Sequence, residues 1–186
     1  NGNNGTINGA LSTKDGMKSH VDSDKVTVSA IFTDATIWSI NSRFSDFTKA
    51  SYGFIFGNIL GSKSIGLGGT SQLSTFFRES TSTYHQWNGT GNTSNITAIS
   101  LENKDITYSL VSNGTIITLY INGVSQGYIT PTTTQFTFTQ FFNGYGTSLG
   151  ALVNLKDLKI YNYALTPQQA KDYHNSFNKI TFRDNL

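Results

Sequence analysis

The stretch "LKDLKIYNYALTPQQ", Leu155–Gln169, changes from a strand pattern to a helix pattern. In its first half, apolar residues such as Leu158 and Ile160 alternate with charged ones, which indicates a half-buried strand with one irregular step. Tyr161 and Tyr163 stand at the corner that follows, and we interpret them as packing that fixes the exit of this strand rather than as ligand-binding aromatics. The stretch therefore predicts the last strand of a β domain.

A short helix is predicted directly after this strand. Thr166 is a good N-cap, Pro167 suits the first helical position because its missing N–H costs nothing there, and Gln169 completes a Thr-x-x-Gln capping box. The helix is expected over residues 167–175, and a helix of about two turns must dock on another element to persist. Its expected docking face consists of Ala170, Tyr173 and Phe177.

The rest of the chain is a series of short strand patterns separated by turn residues. The clearest of them spans Asp105–Ile129, where "DITYSLV", "TIITLYI" and "VSQGYI" are separated by Asn113-Gly114 and Asn122-Gly123. Asn-Gly pairs favour two-residue type I′ turns, because both positions require φ > 0, so this region predicts a three-stranded meander. The side chains expected to face a core are Ile106, Tyr108, Leu110, Ile117, Leu119, Ile121, Phe136, Phe138 and Phe141.

Composition limits the function classes. The chain has 186 residues, enough for one good-sized domain, with 13% charged residues, a net charge of +2 and no cysteine. Scattered Lys and Arg residues make nucleic acid an unlikely partner class, and no apolar run is long enough to span a bilayer. Richness in Ser, Thr, Asn and Gly with 13% aromatics indicates an extracellular or virion-surface β protein, and we expect the segment to be a piece of a longer chain.

Two motifs resemble the concanavalin A-like lectin/glucanase superfamily, in particular its laminin-G-like and pentraxin-like branch. "GTIITLYINGVSQG" is similar to a family strand ending in Asn-Gly, and "LKDLKIYNYALTPQQ" is similar to the family's closing strand and helix, in the family's order and at about its spacing. The resemblance implies an all-β fold: a two-sheet antiparallel β-sandwich of jelly-roll order with one short C-terminal helix. We expect an N-terminal extension with a first strand over residues 1–24, the sandwich over 25–176, and a tail or linker over 177–186.

Enzymatic residue patterns are sparse, and we predict that the chain is not an enzyme. A glycosidase needs two carboxylates about 5–9.5 Å apart, but Glu79 and Glu102 each stand alone, and Asp105 near Glu102 is interpreted as a solvated turn residue. The third-ranked alternative is a polysaccharide lyase-like enzyme. For a lyase of the resembling superfamily, we would expect an Arg, a His or Gln, and a Tyr that converge in a groove. The residues available for it are Arg78, His85 and Tyr84.

Calcium is the one metal ion for which the sequence offers a candidate site. Several relatives in the resembling superfamily hold Ca²⁺ with loop oxygens, and the ion takes six to eight hard oxygen ligands. Asp22 and Asp24 form the only close Asp pair of this region, although such pairs are common in loops without a ligand. The histidines are dispersed along the chain, which argues against zinc.

Sugar recognition needs an aromatic platform for the apolar face of the ring and short polar groups for its hydroxyls. The polar stretch Ser80–Asn95, expected to be a loop, carries an unusual concentration of such residues, and the stretch "FFNGYG" adds more. The predicted ligand-binding residues are Tyr84, His85, Trp87, Asn88, Asn143 and Tyr145, with Arg78 beside them.

The function predicted from these observations is a non-catalytic binding or adhesion domain of a larger extracellular or virion-surface protein, with a cell-surface or polymeric glycan as ligand. The alternative is an architectural module of a phage fibre, a capsid decoration or an appendage. Its partners would then be other domains or subunits of the same assembly, including further copies in a homo-oligomer. The sequence leaves both open.

Overall fold

The chain forms a β-sandwich. The computed structural model describes residues 5–14, 16–19, 21, 24–29, 31, 34–45, 53–57, 64–68, 74–78, 84–86, 105–142 and 152–177. These residues form two antiparallel sheets of seven strands each and one α-helix. The predicted two-sheet antiparallel sandwich with a short C-terminal helix is confirmed.

Sheet A has the strand order β1-β4-β13-β6-β7-β8-β9, and every neighbouring pair is antiparallel. Its strands are β1 Gly5–Asn8, β4 Lys25–Val28, β6 Gly53–Gly57, β7 Ser64–Gly68, β8 Ser74–Arg78, β9 Tyr84–Gln86 and β13 Gln140–Phe141.

Sheet B has the strand order β12-β11-β10-β5-β14-β3-β2. Its strands are β2 Leu11–Thr13, β3 Gly16–Lys18, β5 Ile37–Ser45, β10 Ile106–Asn113, β11 Ile117–Ile121, β12 Val124–Ile129 and β14 Asn154–Tyr161. The segment before Lys25 thus supplies three strands to the two sheets, more than the single strand expected there, while the proposed division at residue 24 stays a prediction.

The core lies between the two sheets and is rich in aromatic rings. Phe136 contacts Trp38 and Phe138, with ring centroids 5.3 and 6.5 Å apart, and the Trp38 indole donates a 2.9 Å hydrogen bond to the carbonyl of Thr134. All of the side chains predicted to face a core are buried in this one cluster. Period-2 patterning therefore identified the inward faces of these strands correctly.

The predicted meander is present, but only one of its two turns is as expected. Asn122 and Gly123 have φ of +52° and +73° and join β11 to β12 in a two-residue turn, as predicted. At the other turn the prediction was wrong by one residue: Gly114, with φ of +97°, and Thr115 occupy the centre. The Oδ1 atom of Asn113 accepts the N–H groups of Thr115 and Ile116, each at 3.0 Å, and this side-chain capping fixes the alternative register.

The irregular step predicted in the closing strand is a β-bulge at Lys156. Leu155 pairs with Phe44 and Asp157 pairs with Arg43, so Lys156 is the extra residue. The bulge keeps Leu155, Leu158 and Ile160 all facing the core although they are not evenly spaced.

Helix α1, Pro167–Asn175, has the predicted capping box. Thr166 Oγ1 accepts the N–H of Gln169 at 3.2 Å, and the Gln169 side chain accepts the N–H of Thr166 at 2.8 Å. Ala170 and Tyr173 are buried, and the Phe177 ring contacts Tyr173 edge-on at 5.1 Å. The predicted docking face is therefore confirmed, and it packs on the outer face of sheet B beside Val111 and Tyr120.

A buried serine hydroxyl fixes the chain between β14 and α1. Ser39 Oγ donates to the carbonyl of Tyr163 at 2.8 Å and accepts the N–H of Leu165 at 3.0 Å. The Tyr161 and Tyr163 rings lie 5.1 Å apart, with Tyr161 half-buried against the helix cluster and Tyr163 47% exposed. The exit is thus held by Ser39 together with Tyr161, and Tyr163 contributes its backbone.

Candidate functional site

Three of the predicted ligand-binding residues lie side by side at one edge of sheet A. Tyr84 and His85 belong to β9, the edge strand, and not to a loop as expected. In the register of β8 and β9, Arg78 is opposite Tyr84 and Phe77 is opposite His85. Directly opposed residues in an antiparallel pair have their Cβ atoms about 4.5–5.5 Å apart, so the backbone makes Arg78 and Tyr84 neighbours.

The remaining predicted site residues lie outside the described part of the chain. They are Trp87, Asn88, Asn143, Tyr145 and the metal candidate Asp22. Trp87 directly follows β9, and Asn143 comes two residues after β13. Each of these two residues therefore lies close in sequence to the end of a described strand.

The two strand ends that precede these residues point the same way. From β13 to β9 the sheet order passes through β6, β7 and β8, and all four steps are antiparallel. An even number of antiparallel steps makes β13 and β9 run in the same direction, so the chain leaves both strands at the same end of sheet A. Four strand spacings separate them by about 19 Å.

A continuous row of positions crosses sheet A on the face turned away from the core. Thr27, Gln140, Gly57, Ser64 and Arg78 each adjoin a core residue in sequence, such as Val26, Phe56 or Phe77, and alternation along a strand puts these positions on the opposite face. Thr6 and Tyr84 are in register with Thr27 and Arg78, so their positions share that face. Apart from one glycine, its residues are polar, and it ends at the predicted site. In the order of the strands, the row consists of Thr6, Thr27, Gln140, Gly57, Ser64, Arg78 and Tyr84.

Gln140, in the middle of this row, is a polar residue that sequence reasoning missed. Its side chain is 0% exposed, and neither Nε2 nor Oε1 has a hydrogen-bond partner among the residues described. An unpartnered buried polar group costs roughly 1–3 kcal/mol, so this carboxamide is unusual, and at 0% exposure it lies beneath the surface rather than on it. The signal in the sequence is the three-residue step from Phe138 to Phe141, which shifts Gln140 to the outer face.

Asp24, the described half of the calcium candidate, is engaged within its own loop. The carboxylate is buried and accepts the N–H of Val21 at 3.1 Å, and a side chain at Gly9 would collide with it. Within the described part of the chain, no group of three or more His, Asp or Glu side chains is arranged to hold a metal ion. Calcium binding stays a prediction that depends on Asp22.

A second group of charges lies on the outer side of sheet B, where the sequence did not indicate it. Asp105 accepts two hydrogen bonds from Arg43, at 2.8 and 3.1 Å, and one from Lys156 at 2.9 Å. Partial burial raises the pKa of Asp105, but the hydrogen bonds and charges of Arg43 and Lys156 outweigh burial and hold this pKa below its ordinary value. Asp105 is therefore an ion-paired residue rather than a simply solvated one.

Helix α1 extends this group of charges. The Tyr173 hydroxyl donates to Asp157 at 3.0 Å, and burial, with the Asp157 charge, raises the Tyr173 pKa well above its usual range. The Arg43 guanidinium lies 4.7 Å from the Phe177 ring centroid. These contacts fix the helix on the sheet and explain why the charges are present without invoking a ligand.

Comparison with known proteins places the fold among solved β-sandwich domains. Domain 4 of AbnA, a GH43 extracellular arabinanase from Geobacillus stearothermophilus in complex with arabinotriose, matches with a TM-score of 0.66 and 15% identity, over 91% of this chain and 87% of that one. The native heptameric SAP-like pentraxin from Limulus polyphemus matches with a TM-score of 0.59 and 16% identity, over 82% of this chain and 75% of that one.

A third match is the botulinum neurotoxin serotype D ligand binding domain in complex with N-acetylneuraminic acid, with a TM-score of 0.64 and 13% identity. It covers 94% of this chain but 46% of that one, so the chain corresponds to less than half of the toxin domain. No protein-family model and no curated protein matches the sequence. At these identities the likeness establishes the fold.

The described residues include no helix long and apolar enough to cross a membrane.

Proposed function

We propose that this chain is a non-catalytic glycan-binding module of the laminin-G-like and pentraxin-like branch, carried by an extracellular or virion-surface protein. Its binding face is the outer side of sheet A, between the segments that follow β9 and β13. The observation that carries the proposal is that β9 and β13, the strands that precede Trp87 and Asn143 in the chain, belong to one sheet and run in the same direction.

The chemistry of this face supports the proposal. Sugars offer hydroxyls to polar groups and apolar ring faces to aromatics, and the outer row combines Arg78 and Tyr84 with Ser and Thr positions. Trp87 and Asn143 follow three residues after Tyr84 and Gln140 in the sequence. The similar folds solved with arabinotriose and N-acetylneuraminic acid are consistent with this ligand class.

A lyase-like enzyme is the second candidate, favoured by the cross-strand pairing of Arg78 with Tyr84. The position of His85, opposite the core residue Phe77, is on the other face of the strand and does not add to this pair. A lyase would leave an unsaturated sugar product that absorbs ultraviolet light. Incubation of the protein with anionic polysaccharides therefore separates the candidates: a binding module gives no rise in absorbance, whereas an Arg78-dependent rise would replace the proposed function by catalysis.

The binding proposal is tested by a glycan array followed by calorimetric titration of the strongest ligand. We expect Arg78→Ala and Tyr84→Ala each to weaken binding about tenfold, or ~1.4 kcal/mol, since truncation of a buried interface anchor costs at least this much. The double substitution Trp87→Ala with Tyr145→Ala should abolish measurable binding.

Tyr128→Ala is the matched control, because Tyr128 is an exposed tyrosine, 54% accessible, on the edge strand β12 of the other sheet. It should leave affinity within about twofold of the original. Binding that survives the sheet A substitutions, or that falls equally in the control, would reject the assigned face.

A further inference from the structure

The two Asn-Gly pairs of the meander lie in different surroundings. In an Asn-Gly pair the backbone nitrogen of the glycine can attack the asparagine side chain with little hindrance, because glycine has no side chain of its own. Asn113 and Gly114 are at the tip of the β10–β11 hairpin, and both are exposed. Asn122 and Gly123 join β11 to β12, and Gly123 is half-buried against helix α1. One chain thus holds the same reactive dipeptide in an open and in a confined position.

At the hairpin tip, the side-chain carbonyl of Asn113 is polarised by the backbone. Its Oδ1 atom accepts the N–H groups of Thr115 and Ile116, each at 3.0 Å. Attack on Cγ develops negative charge on Oδ1, and fixed backbone donors aimed at such an oxygen stabilise that charge, as they do in an oxyanion hole. Oδ1 is still a carbonyl oxygen in the cyclic product, so both donors continue to have an acceptor. The fold therefore activates this amide toward attack.

The Gly114 nitrogen, which is the attacking atom, is held weakly. Its N–H donates to Ser112 Oγ at 3.4 Å, beyond the roughly 2.7–3.2 Å of an ordinary hydrogen bond. A Cβ atom built on Gly114 would lie 3.4 Å from Cγ1 of Ile37, which is an ordinary van der Waals contact. The turn therefore leaves room for this nitrogen to move toward the side chain of Asn113.

The surroundings of Asn122 oppose the same reaction. Its Oδ1 atom accepts the N–H of Thr107 at 3.0 Å, and its own N–H donates to the carbonyl of Thr107 at 2.9 Å. A Cβ atom at Gly123 would lie 3.0 Å from Cα of Lys171 and 3.2 Å from Cβ of His174, so the turn is pressed against α1. Ring closure changes the backbone between Asn122 and Gly123, and it therefore requires the turn and the helix to separate first.

We propose that Asn113 is a site of spontaneous deamidation in the folded protein and that helix α1 protects Asn122 from the same reaction. The Gly114 nitrogen loses its proton to solvent hydroxide and forms a bond to Cγ of Asn113. The bond from Cγ to Nδ2 breaks, and Nδ2 takes a proton from water and leaves as ammonia. Water then opens the succinimide at either of its carbonyls and gives aspartate or isoaspartate. The reaction needs no oxidant or reductant.

The products change the hairpin tip in two ways. Either product places a new negative charge beside the exposed side chain of Ile37. Isoaspartate also adds a methylene to the backbone at Asn113, which ends β10. The tip belongs to sheet B, whereas the proposed glycan face belongs to sheet A.

The test is incubation of the intact chain in mildly alkaline buffer, followed by digestion and peptide mapping by mass spectrometry. Conversion of each asparagine is timed in the native chain and in the chain unfolded in guanidinium chloride. We expect Asn113 to react in the native chain within about threefold of its unfolded rate. Asn122 should be slowed at least about tenfold by folding, because its reaction requires a local opening.

Two substitutions test the two halves of the proposal. Asn113→Gln keeps an amide but requires a larger ring, and it should remove conversion in that peptide while Asn122 is unaffected. Thr166→Ala weakens the cap of helix α1 and should speed the reaction of Asn122 about fivefold, whereas Thr166→Ser should not.

Equal slowing of the two asparagines by folding, or faster conversion of Asn122 in the native chain, would overturn the proposal. An equal acceleration of both sites by Thr166→Ala would also overturn it, because both would then react from the unfolded chain. These rates are measured without a glycan and are independent of the proposed function.

Discussion

Asp105 shows how a single side chain can link two neighbouring strands that are far apart in sequence. It binds Arg43 on β5 and Lys156 at the bulge of β14, and the side chains of all three are partly exposed, at 39%, 30% and 23% respectively. Because solvent screens such pairs, we expect Asp105→Asn to lower the free energy of unfolding by only about 1 kcal/mol at neutral pH.

The pH dependence of this loss follows from the lowered pKa of Asp105. Its contribution is present above the unfolded-state value near 3.8 and disappears as the pH falls through the lower folded-state value. In urea unfolding, the original chain should therefore have a higher free energy of unfolding than Asp105→Asn at neutral pH. This difference should be smaller in high salt and absent at strongly acidic pH. The control is Asp172→Asn, which removes an exposed carboxylate of helix α1. If the stability difference between the original chain and Asp105→Asn persisted unchanged at acidic pH, the role assigned to Asp105 would be contradicted.

Residue roles were predictable where they depend on local sequence and not where they depend on register. Thr166 and Gln169 are three residues apart, so the capping box could be recognised directly. Ser39 meets Leu165, and Gln140 shares one row of sheet A with Arg78, only because segments far apart in sequence align. No local pattern encodes those alignments.

Helix α1 is short and depends on both its cap and its docking. We expect Thr166→Ala to lower the free energy of unfolding by about 1 kcal/mol, because the N–H of Gln169 loses its acceptor. Thr166→Ser keeps the hydroxyl and should retain most of the stability. Chemical denaturation of the two variants measures this, and equal losses for Ala and Ser would show that the cap does not contribute.

The elements differ in how far sequence determines them. Asn122-Gly123 adopts the predicted turn, whereas Asn113 uses its side chain to cap the next two N–H groups and shifts the turn by one residue. β9 was expected to be a loop, because its three residues are polar and its strand character comes only from pairing with β8. Edge strands of this kind are specified by the sheet more than by their own residues.

At the scale of the whole molecule, the resemblance carried by two motifs, the Asn-Gly strand motif and the closing strand with its capped helix, predicted the two-sheet sandwich. The proposed binding face was only partly predictable. Arg78, Tyr84 and His85 were chosen for their chemistry, whereas the pairing of Arg78 with Tyr84 and the buried amide of Gln140 depend on sheet order. Trp87 and Tyr145 stay predictions, tied to the fold through the strands that precede them.

The most direct test of the glycan-binding claim is amide chemical-shift mapping during titration with the strongest array ligand. The proposal predicts that the shifted signals cluster on β6, β7, β8, β9 and β13 and on the segments that follow β9 and β13. Shifts confined to sheet B, or a saturating titration that leaves Arg78 and Tyr84 unchanged, would contradict it.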